Sequence, residues 1–170
     1  MSSVLIQTRN GLAIATPFIL GILLAVIHVL PYGAPELAYV MPSLTLMTVY
    51  YWAIQRPETM PASAVFIIGL WQDVLYGGPM GLTSLILVLV RELLVNQRRV
   101  LIGKSFLVNW MGFAIVVAVT LIMGWVLASW WHWTLIAIPP FIAHLALTIT
   151  LYPIFAGLFA GLQRVLFGED

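Results

Sequence analysis

The chain has 170 residues, of which 62% are hydrophobic and only 8% are charged. A soluble domain carries roughly 25% charged residues and disorder requires low hydrophobicity with high net charge, so both classes are excluded. A net charge of +1 and the lack of a basic cluster argue against nucleic-acid binding. The absence of cysteine excludes disulfides, thiolate metal sites and cysteine nucleophiles. The composition is typical of an integral membrane protein.

Apolar runs predict an all-α protein with about six transmembrane helices in a single polytopic domain, residues 1–170. A helix needs about 20 predominantly apolar residues to cross the hydrocarbon core, and no linker is long enough to separate two domains. The first run is expected to be a retained anchor, because it is longer than the apolar core of a signal peptide. The predicted spans cover residues 11–30, 37–54, 60–76, 81–95, 107–131 and 134–166.

Basic residues predict the orientation of the helices, because cytoplasmic loops carry an excess of Lys and Arg. Six spans place both termini, the second–third loop and the fourth–fifth loop on one side. The loops on the other side contain neither Lys nor Arg, so both termini are expected to be cytoplasmic. Tyr50, Tyr51 and Trp52 are expected to mark the inner membrane surface. The cations on the predicted cytoplasmic side are Arg9, Arg56, Arg98, Arg99, Lys104 and Arg164.

The sequence contains none of the hydrolase, phosphate-binding or zinc-protease motifs, so we expect no enzyme activity and no cofactor. His28, His132 and His144 are scattered along the chain, and ordinary packing roles are expected for them rather than a metal site. Gly157 and Gly161 form a GxxxG spacing, which lets two membrane helices approach closely.

Asp73 is the most informative residue, because an ionised Asp near the centre of a membrane helix costs about 2.5–3.5 kcal/mol on insertion scales. Gly69, Asp73 and Gly77 share one helix face through their i, i+4, i+8 spacing. The fourth span begins after Pro79, with Gly81 at its start, and its first N–H groups lack helical partners. We expect Asp73 to accept hydrogen bonds from these groups and to fix a hairpin. Roles in partner binding, ligand binding or proton relay stay open.

Arg91 and Glu92 are the other charges inside the predicted spans. Adjacent residues on a helix point about 100° apart, which argues against their neutralising each other. Arg91 is expected to extend to the inner headgroups, and Glu92 to pair with Arg98 or Arg99. With Lys104, these two arginines are expected to attract anionic lipid or a cytoplasmic partner.

The predicted hairpin resembles a family signature. Residues 69–82, Gly-Leu-Trp-Gln-Asp-Val-Leu-Tyr-Gly-Gly-Pro-Met-Gly-Leu, resemble the G-L-x-x-D-x-x-x-G-x-P-x-G-L signature of MreD, the rod shape-determining membrane protein family. Pro42, the aromatic residues 50–52 and Pro57 resemble that family's P…VYYW…P stretch. The family's motif positions are occupied here by Gly69, Asp73, Gly77, Pro79 and Gly81.

The resemblance implies a non-enzymatic scaffold of the elongation machinery in the bacterial inner membrane. Family members act with MreC, a single-span protein with a periplasmic domain, and connect MreB filaments to RodA and penicillin-binding protein 2. The resemblance also implies a fold similar to the substrate-binding subunits of energy-coupling-factor transporters. Membrane lipids and a second copy of the chain are further expected partners, and a partner helix would pack on the Gly157/Gly161 or the Gly69/Gly77 face.

Two other functions stay open. A small-molecule-binding subunit of an uptake transporter would need a polar cavity in the membrane. A lipid-handling enzyme or flippase would need several convergent ionisable groups, which the chain scarcely supplies. The residues that could line a cavity are His28, Thr45, Thr48, Asp73 and Asn109.

Overall fold

The computed structural model describes residues 15–27, 41–77, 79–132 and 139–168. Within these ranges the chain forms six α-helices and one short 3-10 turn, Pro57–Thr59, with no strand. The predicted all-helical fold is therefore confirmed for the described part of the chain. The helices are α1 (Ala15–Ile27), α2 (Leu44–Gln55), α3 (Ala62–Tyr76), α4 (Leu82–Leu101), α5 (Phe106–His132) and α6 (Pro139–Phe167).

The helices differ in their capacity to cross a bilayer. Among the described residues, two segments are long and apolar enough for a span, Phe106–Leu127 in α5 and Phe141–Phe167 in α6. α1 and α3 are apolar but shorter. α4 continues six residues beyond its predicted end at residue 95, and these residues include the good helix formers Gln97, Arg98 and Arg99. Residues 134–138 of the predicted sixth span lie outside the described residues.

α2 lies at the centre of the bundle, with 11 of its 12 residues buried. A helix of this length is about 18 Å long, whereas the hydrocarbon core is about 30 Å thick. The predicted second span therefore begins too early. Residues 37–40 lie outside the described residues, and Met41, Pro42 and Ser43 are not helical. Met41 precedes Pro42, and a residue before a proline disfavours helical backbone geometry, so α2 does not extend back through Met41.

An aromatic cluster joins α2 to α5 and α6. The Tyr50 ring packs edge-on against Phe113 at a centroid distance of 5.1 Å, and the Phe113 and Tyr152 rings stack at 4.0 Å. Tyr51 and Trp52 are also buried, so the aromatic residues 50–52 pack inside the bundle, and their position at the inner membrane surface stays a prediction. The Tyr50 hydroxyl donates to the Asn109 carbonyl at 2.9 Å, whereas the buried Trp52 Nε1 has no hydrogen-bond partner among the described residues.

A proline inside α6 ties that helix to α5. Pro153 has no N–H, so the Ile149 carbonyl one turn earlier lacks its helical donor. The indole Nε1 of Trp110 donates to this carbonyl at 2.9 Å. The side chain of α5 thus replaces the backbone hydrogen bond that the proline removes.

The bundle has two chemically different ends. At the basic end, where α2 and α4 end, the Arg98 Nε donates to the Ile54 carbonyl at 2.8 Å and the Arg56 guanidinium lies 4.2 Å from the Phe167 ring centroid. At the opposite end, here called the hairpin end, α3 ends and α4 begins. Arg9 lies outside the described residues. The structure therefore brings predicted cytoplasmic cations together, and the cytoplasmic position of the termini stays a prediction.

Candidate functional site

The Asp73 carboxylate joins α3 to the start of α4. Its Oδ2 accepts a hydrogen bond from the Gly81 N–H at 2.8 Å, and its Oδ1 accepts one from the Thr83 N–H at 3.1 Å. The first N–H groups of a helix lack helical partners and carry partial positive charge, which favours a carboxylate. Asp73 is only 4% exposed. The hydrogen bonds predicted from the sequence are therefore confirmed.

Two glycines shape the turn that brings the carboxylate to these N–H groups. Gly77 ends α3 with φ 65°, and its N–H donates to the Asp73 carbonyl at 3.1 Å. Gly81 precedes α4 with φ 92°. Side chains disfavour this left-handed region. Between them, the Pro79 carbonyl accepts a hydrogen bond from the Leu82 N–H at 3.3 Å. Gly77 and Gly81 therefore allow the left-handed backbone with which the chain turns from α3 into α4.

Gly69 permits close contact between α3 and α4. A Cβ atom on Gly69 would lie 2.5 Å from Ser84 Cα and 2.7 Å from Ser84 N. The buried Ser84 hydroxyl donates to the Phe66 carbonyl at 3.2 Å. The Gly69 surface is thus filled by α4, and the prediction that a partner helix packs on Gly69 is wrong. Such close backbone approach at small residues is typical of membrane helix pairs.

An apolar groove borders the hairpin on its outer surface. It encloses about 850 Å³ and is lined by residues of α3, α4, α5 and the turn. Met80 and Trp130 are 74% and 70% exposed, and Phe66 and Leu85 are also exposed in this groove. The motif residues Pro79 and Gly81 line its edge, so the hairpin and the groove form one continuous surface.

The family model described as rod shape-determining protein MreD matches residues 7–162. The chain belongs to the MreD family. This match includes the whole hairpin, so the resemblance found in residues 69–82 is confirmed. Comparison with curated proteins finds no match, and comparison with solved structures finds none either. MreD is a family of shape-determining membrane proteins that is not known for enzymatic activity, and membership implies a role in rod shape.

Arg91 of this MreD-family chain pairs with its neighbour Glu92, contrary to the prediction. The Arg91 Nη1 lies 2.5 Å from the Glu92 Oε1, and its Nε donates to the Met60 carbonyl at 3.1 Å. A second guanidinium nitrogen lies 3.4 Å from the Pro57 carbonyl. The five guanidinium donors permit all these contacts at once, so Arg91 binds the α2–α3 connection rather than extending to headgroups. Arg98, expected to pair with Glu92, donates to the last carbonyls of α2 instead.

Gly157 and Gly161 lie on an exposed surface of α6. No described atom lies within 4 Å of a Cβ placed on either glycine. The GxxxG spacing therefore makes no close helix contact within the described part of the chain. Packing of a second molecule on this surface stays a prediction.

The four described residues that were predicted to line a polar cavity do not line a common one. Thr45 lines a cavity at the hairpin end, whereas Asn109 lies in a pocket at the basic end. The Thr48 hydroxyl donates to a backbone carbonyl of its own helix at 2.9 Å. Asp73 is engaged by the start of α4, and His28 lies outside the described residues.

Sequence analysis missed several polar residues that meet at the hairpin-end cavity. Gln72, Thr120 and Ser43 line it together with His144. The Ser43 hydroxyl and the His144 Nε2 are hydrogen-bonded at 2.9 Å. The available signal was a polar side chain within each apolar run, and nothing in the sequence indicated that these runs bring them together. The residues that the structure describes include no group of three acidic or histidine side chains that could hold a metal ion.

Proposed function

We propose that this protein is a non-enzymatic scaffold of the peptidoglycan elongation machinery in the bacterial inner membrane, with both termini in the cytoplasm. In this proposal it binds MreC and helps to couple MreB filaments to RodA and penicillin-binding protein 2. The observation that carries the proposal is the continuity between the family's hairpin and the apolar groove. Asp73 fixes the turn from inside, while Pro79, Met80 and Gly81 border the groove.

The groove suits the transmembrane segment of a single-span partner. Its lining side chains are almost entirely apolar, and Met80 lies at its edge in the turn between α3 and α4. Association between helices in lipid depends on close van der Waals packing, because lipid is as apolar as the side chains. A preformed groove held by a buried carboxylate provides a rigid surface for such packing. The MreC segment would leave the membrane beside the hairpin and continue into its periplasmic domain.

Single cysteines provide the test, because the natural chain contains none. We expect Met80→Cys and Leu85→Cys to form disulfides with MreC that carries one cysteine at the outer end of its span. Ile142→Cys is the control, since Ile142 is 63% exposed near the start of α6 and is not a groove residue. Equal crosslinking of all three variants, or none from the two groove positions, would contradict this binding site.

A subunit of an uptake transporter is the second candidate, and the observation that favours it is the cavity at the hairpin end, whose mostly apolar lining includes several polar residues. Purification from native membranes separates the two functions. A single-span protein with a periplasmic domain, present in stoichiometric amount, would support the scaffold. A pair of ATPases with a coupling membrane subunit would contradict it.

The exposed α6 surface is the proposed contact between two copies of the chain. Gly157 and Gly161 leave the helix backbone open to a close neighbour, and both glycines are exposed. Gly161→Cys is expected to form a disulfide-linked dimer in membranes, whereas Ile142→Cys is not. A monomeric Gly161→Cys variant under oxidation would exclude this dimer.

A further inference from the structure

A pocket between α2, α5 and α6, here called the basic-end pocket, opens at the end of the bundle that carries the cations. It encloses about 350 Å³, within the range of about 300–1,000 Å³ that is typical of ligand pockets. Gln55 and Lys104 line its outer end, and Tyr152 lines its inner end. Tyr152 and the lining residue Ala160 are both on α6, so the pocket follows this helix for about 12 Å.

The outer end of the pocket lies at the level where the hydrocarbon core ends. The apolar segment Phe106–Leu127 begins two residues after Lys104, which places the Lys104 ammonium group among the lipid headgroups. Phe106 lines the pocket and is exposed, and Ile154 and Leu158 are exposed beside it on α6. Exposed apolar side chains on a membrane helix face lipid. The pocket therefore borders headgroups at one end and acyl chains along its side.

The outer end also carries positive charge without an acidic partner. Lys104 is exposed and forms no ion pair with a described residue. Arg98 adds a second charge beside the pocket, because its Nη2 donates to the carbonyl of the lining residue Gln55 at 3.2 Å. Both acceptors of Arg98 are backbone carbonyls, and the described lining contains no Asp or Glu. This charge at headgroup level favours an anionic lipid.

The inner part of the pocket suits an acyl chain. Its α6 side is formed by the small residues Ala156, Gly157 and Ala160, and a Cβ placed on Gly157 would meet no described atom within 4 Å. The hydroxyls of Tyr50 and Tyr51, which also line the pocket, already donate hydrogen bonds within the bundle. A soluble anion would occupy the charged end alone and leave this space unfilled, whereas a lipid tail gains van der Waals contacts there.

We propose that the basic-end pocket binds one anionic phospholipid. Its phosphate lies near Lys104 and Gln55, and the first part of one acyl chain follows the small residues of α6. The rest of the lipid lies on the exposed surface of α5 and α6. The proposal is independent of MreC binding, since the basic-end pocket and the apolar groove share no lining residue.

Lipid titrations of the purified full-length protein test the proposal. Native mass spectrometry counts the lipids that stay bound when the protein is released from detergent micelles. Dioleoylphosphatidylglycerol is the anionic probe, and dioleoylphosphatidylcholine has the same chains but no net charge. We expect one phosphatidylglycerol to bind at least about fivefold more tightly than phosphatidylcholine, the factor that one cation at headgroup level supplies. Equal affinity for the two lipids would overturn the proposal.

Charge variants test where the headgroup binds. Lys104→Gln is expected to weaken phosphatidylglycerol binding about fivefold, whereas Lys104→Arg keeps the charge and should keep the binding. Arg164→Gln is the matched control, because Arg164 is an exposed cation near the same end of α6 that does not line the pocket. Equal weakening by Lys104→Gln and Arg164→Gln would show a general attraction of anionic lipid to this end and would overturn the defined site.

Shape variants test the acyl chain without changing any charge. Gly157→Leu places a side chain in open space within the pocket and is expected to weaken phosphatidylglycerol binding at least about fivefold. Gly161→Leu is the control, because Gly161 also faces open space but does not line the pocket.

Two results with the glycine variants would contradict the pocket. Unchanged binding to Gly157→Leu would place the lipid elsewhere on the surface. Equal weakening by Gly157→Leu and Gly161→Leu would place it between two copies of the chain, since the proposed dimer contact includes both glycines. Crosslinking to MreC in the apolar groove can succeed or fail independently of each of these results.

Discussion

Replacing Asp73 with leucine tests the hairpin most directly. The buried carboxylate accepts hydrogen bonds from the Gly81 and Thr83 N–H groups at 2.8 and 3.1 Å. A buried donor left without a partner costs about 1–3 kcal/mol, so two donors give about 2–6 kcal/mol. Removing the charge also removes its desolvation penalty, which brings the expected loss of stability for Asp73→Leu to about 2–4 kcal/mol. Asp73→Asn keeps one carbonyl oxygen and should lose about 1–3 kcal/mol.

Two measurements check this prediction on the purified protein. Reversible unfolding in mixed micelles gives the free energy of unfolding, and amide hydrogen exchange reports on the Gly81 and Thr83 N–H groups individually. We expect both amides to exchange at least about tenfold faster in Asp73→Leu. Glu58→Gln is the matched control, because the Glu58 side chain is 60% exposed and its loss should change stability by less than about 0.5 kcal/mol. Unchanged unfolding and unchanged exchange in Asp73→Leu would refute the reasoning.

Three further predictions concern packing and helix ends, and each is read from the free energy of unfolding. Gly69→Ala places a Cβ 2.5 Å from the α4 backbone and should cost about 1–3 kcal/mol. Gly157→Ala is the control, because its Cβ meets nothing within 4 Å, and it should be neutral or stabilising by up to about 1 kcal/mol. Equal effects of the two variants would contradict the close contact between α3 and α4 at Gly69. Trp110→Phe removes the hydrogen bond to the Ile149 carbonyl and should cost about 1–3 kcal/mol. The cost should be smaller in a Pro153→Ala background, where the N–H of residue 153 can bind the same carbonyl. A double-mutant cycle without coupling would show that Trp110 does not compensate for Pro153. Arg98→Gln removes the guanidinium that donates to the last carbonyls of α2 and should lower the free energy of unfolding by about 1–2 kcal/mol. Arg98→Lys keeps a donor and should lower it by less than Arg98→Gln does. A larger loss for Arg98→Lys than for Arg98→Gln would contradict this role of Arg98.

The hairpin could be predicted from the sequence because every part of it is local. Asp73 lies eight residues from Gly81 and ten from Thr83. The glycine spacing fixed the face of α3, and Pro79 marked the start of the next helix. Under these conditions, helix periodicity and the chemistry of a helix N-terminus are sufficient to choose the partner of a buried carboxylate.

The Arg91 contacts and the cavity could not be predicted in the same way. The angle between neighbouring helix positions describes where side chains leave the backbone, whereas Arg91 is long enough for its tip to meet Glu92 as well as the Met60 carbonyl. The cavity depends on three helices bringing Thr45, Gln72 and Thr120 together, which are separated by many residues in the sequence. Spacing along the chain contains no information on such convergence.

The packing of the α2 aromatic residues could not be predicted either. Their residue types are typical of membrane surfaces, and composition gave no sign that Tyr50 and Trp52 are buried. Their burial follows from the central place of α2 among the other helices. Which side chains surround a short helix depends on helices that are distant in the sequence.

The central position of α2 also has a consequence for the biogenesis of the protein. Segments such as Phe106–Leu127 are apolar and long enough to enter the bilayer individually. The 12 helical residues of α2 are too few to cross the hydrocarbon core, and α2 packs against α4 and α6, which follow it in the chain. The buried position of Leu44–Gln55 can therefore be completed only after these later segments have been synthesised.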